Sequence, residues 1–151
     1  MHISYSESIY YSIRLTSRYF KAFIEQFLDR IEANITSDEI FTLDILKCNG
    51  VMCQRDLAKL LFKDRANTGK IAQSLQEKGY INIKIEEKNN RLVKNLLLTK
   101  KGEDLLKNLE EKSIPILNEL TNHVSLEEYK YLQNTLSKIR QNIKEIITTQ
   151  I

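Results

Sequence analysis

With 151 residues, 42% hydrophobic, one proline and four glycines, the chain is long enough for one domain with a core and too poor in breakers for many loops or strands; it should be mostly helical. No run approaches the ~18 apolar residues of a membrane span, and the first seven residues lack a basic segment followed by an apolar one, so neither a membrane protein nor a secreted one is expected and the cytoplasm is the expected compartment. The net charge of +3 is unevenly spread: residues 51–102 hold twelve Lys or Arg against five Asp or Glu, a local +7 that leaves −4 for the remainder.

In chain order, a long helix is predicted from Glu7 to about Ala33. Ile9, Ile13, Phe20, Ile24, Phe27 and Ile31 fall on one face at steps of three, four and seven, and Phe23 and Leu28 widen the stripe. A second helix through Phe41, Leu43, Ile45 and Leu46 opens at an N-cap signal, either Thr36 with Glu39 as a capping box or Ser37 at the cap itself. Gln54 to Phe62 reads as a short helix with a buried face of Leu57, Ala58, Leu60 and Leu61. The next helix carries Ile71, Ala72 and Leu75, and Gly79 supplies its stop. Tyr80 to Glu86 then alternates with period two, a polar tip spans Glu87 to Arg91, and Leu92 to Leu98 returns as a second strand.

Thr99 is placed to cap a fifth helix through Leu105, Leu106, Leu109, Ile114, Leu117 and Leu120, which Pro115 should bend because it removes a backbone donor and crowds the preceding turn. Ser125 with Glu128 forms another capping box, opening a last helix through Tyr129, Leu132, Leu136, Ile139, Ile143 and Ile146. The order helix, turn, helix, hairpin is that of a winged helix-turn-helix. The fold expected is therefore mainly α with a small β-hairpin wing: one domain over 1–151, with a DNA-binding head at 35–102 and dimerisation helices at 1–34 and 103–151.

The positive charge coincides with this head, as phosphate neutralisation and counterion release require, although lysine-rich helices can also be simply well solvated. Gln54 caps or precedes the positioning helix, where it or the helix N-terminus can reach a phosphate. Asp64 to Thr68 open the recognition helix, whose N-terminal residues enter the major groove. There Arg65 suits a guanine edge, Asn67 adenine, Thr68 a thymine methyl or a phosphate, and Lys70 the backbone. Arg65 is equally suited to a plain phosphate contact or an ion pair with Asp64. Arg91 suits a narrow A·T-rich minor groove, Lys88 and Lys94 suit phosphates, and Lys63 completes the expected DNA contacts.

The end helices hold more apolar surface than a compact head can cover. Ile9, Ile13 and Phe20 on the first helix and Leu136, Ile139, Ile143 and Ile146 on the last are the expected dimer contacts; the same stripes could instead close an intrachain bundle. A two-fold dimer would read a roughly palindromic site with half-sites about one helical turn apart.

The segments Asp56-Leu-Ala, Leu75 to Ile81 and Arg91 to Gly102 resemble the MarR family of bacterial transcriptional regulators. The wing departs from the family's usual Asp-x-Arg: the corresponding residues are Asn90, Arg91 and Leu92, which leaves Arg91 as the tip's only arginine. The resemblance implies a homodimer joined through its terminal helices, more commonly a repressor than an activator. It also implies a small aromatic or phenolic effector bound between the dimer helices and the head, and Tyr10, Tyr11, Arg14 and Arg18 are the residues placed to line such a cleft. A protein-interaction module that kept this fold without DNA binding is the alternative, and the altered wing is its support.

Cys48 and Cys53, near one another across a turn, raise a redox switch, but Cys48 follows Leu43, Ile45 and Leu46 and is expected to be a buried structural thiol. MarR-like peroxide sensors carry their cysteine near the start of the first helix, where this chain has none. His2 and His123 are too few and too far apart for a metal site, and no cofactor is expected. No histidine pairs with a nucleophile and no phosphate-cradling glycine loop occurs, so an enzyme is not expected.

Overall fold

The computed structural model describes residues 4–149; His2 lies outside them. A single 3-10 turn at Tyr5–Glu7 precedes α1 (Ile9–Arg30), α2 (Ser37–Asn49), β1 (Met52–Cys53), α3 (Gln54–Leu61), α4 (Arg65–Glu77), β2 (Ile81–Lys88), β3 (Arg91–Leu98), α5 (Lys100–Leu120) and α6 (Leu126–Thr149). Among the described residues no helix is long and apolar enough to cross a membrane. The chain divides inside α5 into two compact units, Met1–Leu109 and Glu110–Ile151.

The first unit is built on leucines supplied one or two per element. Leu43 and Leu46 of α2, Leu57 of α3, Leu75 of α4, Ile81 of β2 and Leu96 of β3 are fully buried, and Leu28, Leu106 and Leu109 close the core from α1 and α5. Burying each such side chain contributes about 1.5–3 kcal/mol, enough to hold short helices that would not form alone.

Local chemistry sets the boundaries. Ser8 caps α1 by accepting from the Tyr11 amide at 3.2 Å, so the helix begins at Ile9, two residues later than the apolar period suggested. The capping box opening α2 belongs to Thr36: its hydroxyl accepts from the Glu39 amide (3.2 Å) and the Glu39 carboxylate accepts from the Thr36 amide (2.8 Å). Phe62, in the left-handed conformation at φ 50°, ends α3 and turns the chain into α4. Gly79 (φ +77°) stops α4, with the Tyr80 amide donating back to the Leu75 carbonyl at 2.9 Å.

The sheet has three strands, not the two of the expected ribbon, in the order β1-β3-β2 and antiparallel throughout. β1 pairs Met52 with Leu96 and Cys53 with Asn95. Two residues cannot display a period, so this strand is defined only by its partner. The wing runs in register from Ile81 opposite Leu98 to Lys88 opposite Arg91. Its turn is narrower than the predicted tip, because Asn89 and Asn90 both take positive φ (54° and 57°) and form a two-residue loop whose twist matches the strands.

In the second unit, α5 continues through Pro115 to Leu120 and α6 opens at Ser125, whose amide donates to the Glu128 carboxylate at 2.8 Å while its hydroxyl accepts from the Glu128 amide at 3.2 Å. The Ser125 amide, together with the Ser125 hydroxyl, which donates to the same carboxylate at 2.7 Å, holds the Glu128 carboxyl below its ordinary range.

Candidate nucleic-acid interface

α4 opens at Asp64, whose carboxylate accepts from the Asn67 amide at 2.8 Å. That bond holds the Asp64 carboxyl below its usual value, so it stays ionised beside a helix N-terminus that favours negative charge. The Asn67 side chain is bound to the same carboxylate, Nδ2 to Oδ2 at 2.6 Å, so bidentate pairing with adenine would cost it this bond while leaving the amide cap in place. Arg65 and Lys70 are exposed, and among the described residues Arg65 forms no ion pair with Asp64.

Thr68 does not face outward. It is fully buried and its hydroxyl donates to the Asp64 carbonyl at 2.8 Å, which removes it from the expected DNA contacts. The physical reason is helical spacing: Thr68, Ala72 and Leu75 recur at four and three residues on the core face.

Two further expected contacts are occupied internally. Gln54 is the first residue of α3, and its Nε2 donates to the Arg65 carbonyl at 3.3 Å, tying together the starts of the two helices. A Cβ on Gly69 would stand 3.1 Å from that nitrogen, so the glycine leaves the room in which Gln54 crosses. Lys63 is paired with Asp38 at 3.1 Å and anchors the α3–α4 turn to α2.

The wing and the helix starts enclose an open cleft of ≈ 880 Å³. It gathers Arg65 from α4, Lys88, Arg91 and Lys94 from the wing, and Arg55 from α3. Against these five cations stand Asp56 and Glu86, both engaged: Asp56 accepts from the Cys53 thiol (3.0 Å) and lies near Lys59 and Arg55, and Glu86 accepts from Asn95 Nδ2 (2.7 Å). The thiol bond, ahead of the neighbouring cations, holds the Asp56 carboxyl below its ordinary range. Arg55 had no sequence signal beyond its place beside Gln54; only the fold brings it opposite the wing. At the altered wing position, Leu92 is 77% exposed and opposes Glu87.

Tyr10, Tyr11 and Arg14 come together around Tyr5, which the predicted start of α1 had left out. Its ring lies 5.9 Å from Tyr10 and 5.7 Å from Tyr11, and Arg14 Nη1 donates to its hydroxyl at 3.4 Å. Arg18 is exposed on the same helix. Of the expected dimer contacts, Ile9, Ile13, Phe20, Ile143 and Ile146 are exposed in the single chain and Leu136 and Ile139 are half-buried.

Cys48 is exposed, contrary to its expected burial, and Cys53 is half-buried in the cleft. Two residues along a helix is a rotation of roughly 200°, so Leu46 in the core puts Cys48 on the outer face of α2.

No family model matches the chain. Solved structures with the same fold include a MarR protein from Peptoclostridium difficile, 20% identical over 96% of this chain and 94% of that one, with a TM-score of 0.78. BpsR of Bordetella bronchiseptica, whose DNA binding is regulated by 6-hydroxynicotinic acid, is 17% identical over 93% and 98% of the two chains, with a TM-score of 0.75. MepR of S. aureus, in complex with DNA, is 23% identical over 94% and 99%, with a TM-score of 0.72. At such identities the likeness is one of fold. A mainly helical chain whose short α3 and α4 are followed by a hairpin paired to a two-residue strand has the MarR-type winged helix-turn-helix fold.

Proposed function

We propose that the protein is a dimeric, sequence-specific double-stranded DNA-binding transcriptional regulator, a repressor released from DNA by a small aromatic or phenolic ligand. The observation that carries this reading is the cleft with Arg55, Arg65, Lys88, Arg91 and Lys94 along it, between the start of the recognition helix and the wing. α4 enters the major groove by its N-terminus, with Arg65 at the base edges, while Arg55, Lys88 and Lys94 hold phosphates and Arg91 reaches the adjoining minor groove. Lys70 adds a backbone contact. The exposed Ile9, Ile13 and Phe20 of α1 and Ile143 and Ile146 of α6 support a second copy as the partner that removes them from water. Tyr5, Tyr10, Tyr11 and Arg14 offer ring faces and a guanidinium suited to an aromatic acid or phenol. Such a ligand acts only if it binds the DNA-incompetent spacing of the two heads better than the competent one.

Selection of sites from random duplex DNA, with affinities repeated at two salt concentrations, tests the reading. The expected product is an inverted repeat with half-sites about one helical turn apart and a steep salt slope. Recovery of nothing above random DNA would favour a winged-helix module that binds protein partners instead. On a recovered site, Arg65→Ala is expected to cost about 1–3 kcal/mol and relax preference at one position per half-site, whereas Lys94→Ala should weaken all sequences alike and lower the salt slope by about one. Equal losses on specific and random DNA for both variants would remove Arg65 from base reading.

A further inference from the structure

The far end of the recognition helix is held by more than packing. Glu39 of α2 is 3% exposed, and every strong bond to its carboxylate comes from a defined place. The Thr36 amide donates at 2.8 Å from its own cap, the Ser74 hydroxyl at 2.6 Å from α4, and Lys78 Nζ donates to both oxygens at 2.8 Å from the end of α4. The same end is tied to the start of α5. Lys101 Nζ donates to the Lys78 carbonyl (2.7 Å) and lies 5.1 Å from the centre of the Tyr80 ring, and the Thr99 hydroxyl donates to the Gly79 carbonyl (2.8 Å). Leucine packing holds helices together but tolerates small rotations, whereas a carboxylate with four directed bonds does not.

We propose that Glu39 and Lys78 form a positioning pin that fixes the angle of the recognition helix against α2, so that sequence-specific DNA binding, more than non-specific binding, depends on them. This inference rests on the DNA-binding reading above. Base contacts at the start of α4 demand placement to fractions of an ångström, while phosphate contacts from flexible lysines accommodate a rotated helix. The pin joins α2 to the end of α4, and Lys101 and Thr99 tie that same end to the start of α5.

The test compares the full-length protein with Lys78→Met and with the double variant Glu39→Gln/Lys78→Met. Gln retains the capping function at residue 39, and the double variant removes the buried carboxylate and its half-buried partner charge together. The single variant is expected to lower Tm by roughly 10 °C and the double variant to recover most of that loss. In the double variant, amide exchange over residues 74–80 should still rise about tenfold. Its affinity for the selected operator should fall about tenfold, with random-duplex affinity unchanged within about twofold. Ser74→Ala, which removes one bond of the pin and no charge, should move exchange and operator affinity the same way by about threefold, and it keeps the test open if the double variant folds poorly. Parent-like exchange, or a parent-like ratio of operator to random affinity, would overturn the proposal. A parent protein with no sequence preference, alongside the same loosening of residues 74–80, would overturn the regulator reading while supporting the pin.

Discussion

Lys78→Met is expected to lower the unfolding free energy by about 3–5 kcal/mol at neutral pH, because it strands a carboxylate that is almost wholly buried. In the parent, burial alone would push the Glu39 carboxyl up. The bonds from Lys78, Ser74 and the Thr36 amide outweigh burial and leave it below the ordinary carboxyl value of 4.5. The stability from this depressed carboxyl is present above its unfolded value and is lost as pH falls through its lower folded value. Without Lys78 the two bonds from Ser74 and the Thr36 amide alone oppose burial, so the folded carboxyl titrates higher than in the parent, and the stability lost with Lys78 is greatest above that window and fades as the carboxyl is protonated in acid. Denaturant titrations of both proteins at pH 7 and pH 4 separate the cases: the difference between them should shrink markedly in acid. A difference below about 1 kcal/mol at neutral pH would mean that water reaches the carboxylate as readily as the lysine does.

Gly102→Ala is the other substitution expected to cost heavily. A Cβ at Gly102 would lie 2.4 Å from the Tyr80 carbonyl oxygen and 2.8 Å from Leu98 Cδ1. The Tyr80 oxygen cannot retreat freely, because it accepts from the Thr99 amide at 3.0 Å, and the Gly102 amide is itself bound to the Thr99 hydroxyl at 3.1 Å. Overpacking of this kind costs about 1–3 kcal/mol or somewhat more. The gain in helix propensity from glycine to alanine, about 1 kcal/mol, offsets only part of it. The displaced start of α5 would carry Thr99 and Lys101 away from the end of α4, so operator affinity should fall together with Tm. An unchanged Tm in a thermal melt would show that Tyr80 and Leu98 yield without cost and that the close approach of α5 is not required.

The helices were legible because amphipathic spacing and capping residues are local: Thr36 with Glu39 and Ser125 with Glu128 act within three residues of themselves, and Gly79 stops α4 by its own backbone freedom. The site was legible only by residue type. Arg65, Lys88, Arg91 and Lys94 line the cleft, but Thr68 turns inward, Gln54 and Lys63 serve bonds within the head, and Asn67 serves the cap of α4. A threonine or a glutamine that binds a phosphate and one that binds a backbone carbonyl read alike in one dimension. The exposure of Cys48 and the entry of Arg55 into the cleft likewise depend on helix phase and on what the wing opposes.

Period, caps and charge segregation, all set by neighbours a few residues apart, determined that this chain makes a helical winged head with a basic surface. Tertiary structure alone decided which polar groups are spent inside it. Glu39 meets Ser74 and Lys78 across 35 and 39 residues, and β1 exists only against β3. A buried polar group finds its partner through the packing of distant elements, and no local pattern carries that information.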